Sequence, residues 1–170
     1  ALVVPELIRI LTKDHDLPWQ RAFEITQACT GYTNHTILSE ALEQWDSQLF
    51  RYLLPRQYRI VERLNQEFCT SVRAKYPNNE EMIRQVSILE GGMVRMAHLA
   101  VVGSHKVNGV AKIHSEILKK SVFSPFYALF PNKFINITNG VTQRRWLLEC
   151  NPELAEWITR RIGKGWITDF

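Results

Sequence analysis

A mainly α-helical chain with a few short β-strands is the fold class that this sequence predicts, and three observations predict it. Apolar residues recur at helical spacing over most of the chain. Prolines, asparagines and glycines punctuate those runs where helices start and stop. A β-prone run stands out only at Phe134 to Thr138, so one to three short strands are expected.

The elements follow in order. Pro5 suits a first helical turn, and Leu7, Ile8 and Leu11 form its apolar stripe. After the polar break Asp14-His15-Asp16, Pro18 opens a second helix with Trp19, Ala22, Phe23, Thr26 and Cys29 on one face. The two predict a helical hairpin. Thr30 to Ser39 is rich in Gly, Thr and Asn with no amphipathic pattern, which predicts a loop carrying Tyr32, Asn34 and His35. Glu40 to Leu54 reads helical, in two pieces around Asp46. Pro55 starts the clearest helix, with Tyr58, Val61, Leu64, Phe68 and Val72 in register until Pro77.

Asn78-Asn79-Glu80-Glu81 caps a short helix, and Gly91-Gly92 breaks the chain. Met93 to Val102 is apolar enough to be helix or buried strand, and periodicity does not separate them. Gly103-Ser104-His105, then Asn108-Gly109, reads as a loop feeding a helix through Val110, Ile113, His114 and Ile117 to Lys119-Lys120. Ser124-Pro125 opens a short aromatic helix closed by Pro131. Asn139-Gly140 predicts a sharp turn at positive φ, and Thr142 a helix cap before Gln143-Arg144-Arg145-Trp146. Asn151-Pro152-Glu153 is a complete helix start, and Gly163 its end.

Composition narrows the function classes. The 170 residues suffice for one domain with a real core. Hydrophobic content of 45% and charged content of 22% are those of a globular protein. The net charge of +4 is mild, and Arg51, Arg56, Arg59, Arg63, Arg73 and Arg84 are scattered as on solvated helix faces. That argues against nucleic acid, and no apolar run reaches the ~20 residues of a membrane span. Cys29, Cys69 and Cys150 lack C-x-x-C spacing and read as reduced, mostly buried thiols of a cytosolic protein. The sequons at Asn34 and Asn136 are coincidental in that setting. The chain opens on Ala1 and stops at Phe170 within what reads as a new element, so it is expected to be an excised segment of something longer.

No metal site is expected, because His98, His105 and His114 match no ligand spacing. His98 and His114 read as packed histidines. Gly103 to Gly109 fits neither a dinucleotide fingerprint nor a P-loop. Trp45, Trp157 and Trp166 are assigned to core or interdomain packing. Two stretches resist a packing explanation: Tyr32 to Thr36 and Thr138 to Trp146. Both are polar, turn-like and supplied with amide, hydroxyl and aromatic groups, which is what a sugar or phosphate site requires. On residues alone, a free-standing helical carbohydrate-binding module and a basic helical scaffold or nucleic-acid binder stand beside an enzyme fragment.

Longer motifs carry a resemblance. Tyr-Thr-Asn-His-Thr at Tyr32 to Thr36 and Glu-Ala-Leu-Glu at Glu40 to Glu43 resemble the glycogen (α-glucan, maltodextrin) phosphorylase family. So do Gly103 to Glu116, Thr138 to Trp146, Asn151 to Glu156 and Leu54-Pro55-Arg56, in order along the whole chain. The resemblance implies a segment of a two-domain α/β glycosyltransferase-B-like enzyme with Rossmann-type domains. It implies transfer of terminal α-1,4-linked glucose from glycogen, starch or maltodextrin to inorganic phosphate, giving glucose 1-phosphate. It implies pyridoxal 5'-phosphate as cofactor, and a cytoplasmic, allosteric homodimer as the parent.

By the same resemblance, residues 1–138 are the later part of the N-terminal domain and residues 139–170 cross into the C-terminal one. His35 and Asn139 correspond to contacts with the glucose 6-hydroxyl, with the His35 carbonyl near C1. Trp146 corresponds to a neighbour of the cofactor. The Schiff-base lysine corresponds to no residue of this chain, so no catalytic set is complete and the segment is expected to be inactive without the remainder of the phosphorylase. Ser39 and Gln143 stand where the family usually has proline, and Gly31 and Lys106 are also unusual. Gln143 gives the following helix an extra N–H and removes a φ restraint.

Overall fold

Caps and apolar stripes place most helices where the sequence puts them. The structure, a computed structural model, describes residues 1–140 and 142–169; Val141, inside the predicted turn-to-helix stretch, and Phe170 lie outside it. The chain divides into two units, Ala1–Thr138 and Asn139–Phe170.

In the first unit α1 (Val3–Lys13) buries Val4 and Ile8, and α2 (Trp19–Cys29) buries Ala22 and Thr26. The two helices pack together as the predicted hairpin. Gly31–Thr33 is not loop but strand β1. Glu40 to Asp46 also departs from its helical reading: a 3-10 turn (Ser39–Ala41) leads into β2 (Gln44–Asp46). The reason is tertiary, since Gln44–Asp46 pairs antiparallel with Met93–Arg95, which no local pattern reveals. Asp46 then caps α3 (Ser47–Leu53), its Oδ1 accepting from the Leu49 amide at 2.8 Å.

The backbone of the unit is α4 (Pro55–Lys75), 21 residues that bury Tyr58, Val61, Leu64, Phe68 and Val72. Each fully buried aliphatic side chain contributes about 1.5–3 kcal/mol. Asn79 caps α5 (Glu80–Val86) through a 3.0 Å bond from the Met82 amide. Next, β3 (Leu89–Glu90) and β4 (Met93–Arg95) form a hairpin turned by Gly91 and Gly92 at φ 56° and 75°. A side chain would be strained at both. The ambiguous apolar run therefore splits, strand to Arg95 and then α6 (Met96–Gly103), buried almost throughout.

After α6 comes β5 (Lys106–Gly109), then α7 (Lys112–Ile117), which widens into a π turn at Leu118–Val122. The aromatic helix α8 (Ser124–Leu129) and strand β6 (Phe134–Asn136) complete the unit. Phe123 and Phe126 are fully buried and meet edge to face at 6.2 Å. His98 belongs to this core. Its Nδ1 lies 3.0 Å from the Ser87 carbonyl and its ring edge packs on Phe126. Burial first, and the nearby Arg95 charge second, press its pKa down to about 4. His98 is a packed histidine, as its apolar setting implies.

In the second unit α9 (Gln143–Cys150) and α10 (Pro152–Ile162) pack on each other and on a 3-10 turn at Lys164–Ile167. Asn151 caps α10, accepting from Leu154 N at 3.2 Å, and Gly163 ends it at φ 80°. Two cysteine expectations fail: Cys69 is buried, whereas Cys29 and Cys150 are exposed. Nor are Trp45 and Trp157 core residues, being 37% and 55% exposed. Among the described residues no helix is long and apolar enough to cross a membrane.

Candidate functional site

Three parallel strands give the first unit a directional end. The sheet order is β1-β5-β6, with Thr33 opposite Asn108 and Gly109 opposite Asn136. The carboxyl ends of all three strands thus lie on one edge, which is where ligands bind in open α/β sheets. The sequence does not reveal this edge, because Lys106–Gly109 reads as loop. The strand is four residues long and both its partners are remote in sequence, so only the assembled sheet identifies it.

Each strand end is tied to its neighbours. The Asn34 amide donates to the Asn108 carbonyl at 2.9 Å, and the Thr33 hydroxyl to Asn108 Oδ1 at 2.8 Å. Ile137 N reaches the Gly109 carbonyl at 3.2 Å. Ser115 Oγ donates to Asn136 Oδ1 at 2.7 Å, fastening α7 to the end of β6. Gly109 makes that closeness feasible: a Cβ there would stand 2.6 Å from Ser115 Oγ and 2.8 Å from Ser115 N. Backbone atoms on α7 cannot yield as a side-chain tip can, so the position requires glycine.

The loop after β1 spends most of its polar groups on itself. Asn34 is 1% exposed; its Nδ2 donates to the Tyr32 hydroxyl at 3.1 Å and its Oδ1 accepts from Thr36 N at 3.0 Å. Tyr32 in turn packs edge-on against Phe123, and burial raises its pKa. Asn34 and Tyr32, both singled out from sequence, are therefore braces. Between the braced residues His35 is exposed. The structure thus holds an exposed imidazole two residues past the end of β1, next to the braced Asn34.

Asn139 and Trp146 belong to the second unit. Asn139 and Gly140 are exposed and neither has the positive φ expected of them, while Val141, the next residue of the predicted turn, lies outside the described residues. Thr142 precedes α9 without a side-chain cap bond, contrary to its expected role. Here Gln143 supplies the first helical residue, so the helix starts without proline to fix its φ. Trp146 lies on α9 and is 59% exposed. Sequence reasoning assigns no site role to Asn108, Ser115 and Asn136, the polar links of the sheet edge, although the Asn-Gly pair at 108–109, the Gly103 to Glu116 motif and the sequon at Asn136 mark their positions.

A parallel sheet with polar loops at its carboxyl ends, embedded among helices, marks a segment of an α/β protein. The chain belongs to the Phosphorylase family of carbohydrate phosphorylases, whose pattern matches residues 1–170. It is similar to glycogen phosphorylase of Bacillus subtilis (strain 168), 53% identical over 167 residues that cover 98% of this chain and 21% of the relative. It is also similar to the brain form of Rattus norvegicus, 52% identical, and to the muscle form of Ovis aries, 51% identical. Both alignments cover 99% of this chain and 20% of the relative. The chain thus spans about a fifth of the length of the curated relatives it matches.

Proposed function

We propose that the parent of this chain is an α-glucan phosphorylase that transfers terminal α-1,4-linked glucose to inorganic phosphate, giving glucose 1-phosphate. In this reading the segment supplies part of the glucose subsite and is inactive by itself. Residues 1–138 form the later part of the N-terminal domain, and 139–170 the crossing into the C-terminal one. The parent is cytoplasmic and homodimeric.

His35 and Asn139 bind the glucose 6-hydroxyl, one as an imidazole and one as a side-chain amide, and the His35 carbonyl faces C1. The observation that carries this reading is the braced strand end. Asn34 and Asn108 hold the backbone on both sides of His35, so its ring and carbonyl are presented without further ordering. Family membership over the whole chain supports it. Positioning of this kind lowers a barrier by prepaying orientation, and each polar sugar contact is worth on the order of 1–3 kcal/mol in transition-state binding.

Pyridoxal 5'-phosphate belongs to this proposal as well. When bound, its phosphate supplies a proton relay. Of the residues here, Trp146 packs beside it, and the lysine that fixes it belongs to the rest of the parent. The test is steady-state phosphorolysis by the parent with His35→Ala or Asn139→Ala. Either change should lower kcat/KM by roughly 5- to 150-fold, the equivalent of 1–3 kcal/mol. Unchanged kinetics would remove that residue from the subsite.

A further inference from the structure

Some of the basic residues that the sequence spreads over helix faces are exposed yet share one cavity wall. Arg56, Arg59 and Arg63 follow one another at intervals of three and four along α4, which puts them on one face. Together with Arg9 and Lys13 of α1 and the Trp19 ring of α2 they line a cavity of about 710 Å³. That volume lies within the ~300–1,000 Å³ of small-molecule sites. Asp14 is the one acidic residue of the lining. The wall thus holds a formal excess of four positive charges, as large as that of the entire chain.

Some of this charge is already answered. Arg9 pairs with Glu6 at 2.9 Å and with Asp14 at 3.3 Å, and Arg63 with Glu67 at 2.8 Å. Arg63 also covers the Trp19 ring at 4.0 Å, while the indole N–H donates to Glu67. These contacts fix the two ends of the wall. Between them Lys13, Arg56 and Arg59 have no carboxylate partner among the described residues. Like charges three and four residues apart repel, so the folded chain alone gains nothing from this row. A bound polyanion would reverse that sign.

We infer that the cavity between α1, α2 and α4 is an anion site for a small ligand carrying two or more phosphate groups. Guanidinium forks match phosphate oxygens in pairs, and two unpaired arginines one helical turn apart suit neighbouring phosphates. The site lies wholly in the first unit and owes nothing to His35 or Asn139, so its failure would leave the glucose-subsite reading intact.

The probe is inorganic tripolyphosphate, titrated calorimetrically into the full-length parent. The Arg56→Gln, Arg59→Gln double variant should weaken binding at least tenfold and flatten its salt dependence. Arg59→Lys, which keeps the charge but not the fork, should lose less. Phosphorolysis should stay within twofold in both variants. A nucleoside triphosphate serves as a second arm: equal affinity assigns recognition to the phosphates alone, and tighter binding adds the Trp19 ring, both in keeping with the site. Binding within twofold of wild type in the double variant would overturn the inference. So would a parallel loss of phosphorolysis, since the effect would then belong to the fold or to the glucose subsite.

Discussion

Tyr32–Thr36 and Thr138–Trp146 look alike in sequence, yet the structure treats them in opposite ways. Both are short, polar and turn-like. In the first, Asn34 is buried and both ends of its side-chain amide are used to brace the loop, with His35 exposed beside it. In the second, Asn139, Gly140 and Thr142 are exposed, and Asn139 has no hydrogen-bond partner among the described residues. Polar composition therefore marks two different things, a loop braced around a buried amide and a segment in which Asn139 stays exposed while Arg144 is tied to the Asp169 carbonyl. Burial separates them.

The largest response is expected in the core behind the braced strand. His98 has a folded pKa of about 4, below its unfolded value near 6.5. Between those values the unfolded chain binds more protons, so stability falls as pH drops from 6.5 towards 4, by roughly 3 kcal/mol, and changes no further below that. Denaturant titrations across this range should show the slope, and His98→Gln should remove most of it. An unaltered slope would assign the proton uptake elsewhere.

Next in size is Asn34→Ala, which strands the Tyr32 hydroxyl and the Thr36 amide. It should cost about 1–3 kcal/mol of stability. The matching change on the other side of the comparison, Asn139→Ala, should cost under ~0.5 kcal/mol, as surface substitutions do. Equal losses in chemical denaturation would erase the distinction between the two stretches. Smaller still is the contrast between caps. Asn151→Ala should destabilise by about 1 kcal/mol, whereas Thr142→Ala, with no cap bond to lose, should change stability by no more than a few tenths. Thermal melts of the two variants test that difference.

Helices were legible because their signals are local: Pro55, Asn79 and Asn151 act within one turn of themselves, and the stripe of α4 needs no partner to be seen. The short strands were not. Gln44–Asp46 and Lys106–Gly109 are strands only because distant segments pair with them, and Gly31–Thr33 was hidden inside a loop-like composition. The same holds for the site. His35 could be picked out by its motif, but the role of Asn34 as a brace depends on burial, and that of Asn108 on a sheet not visible in sequence. The Asn-Gly pair at 139–140 predicts positive φ, but its tolerance of that conformation is permissive and neither residue adopts it. Basic residues on α4 read as solvated and are exposed, but their shared cavity depends on α1 and α2, which no local pattern reveals.

The proposed glucose subsite rests on a braced His35 that touches the 6-hydroxyl. The direct measurement is a cycle on the parent enzyme in the direction of glucan synthesis, comparing wild type and His35→Ala on glucose 1-phosphate and on 6-deoxyglucose 1-phosphate. If the contact exists, the substitution should lower kcat/KM for glucose 1-phosphate by roughly 5-fold or more and have much less effect on the 6-deoxy substrate. An equal loss on both substrates would contradict the account, because His35 would then act on something other than that hydroxyl.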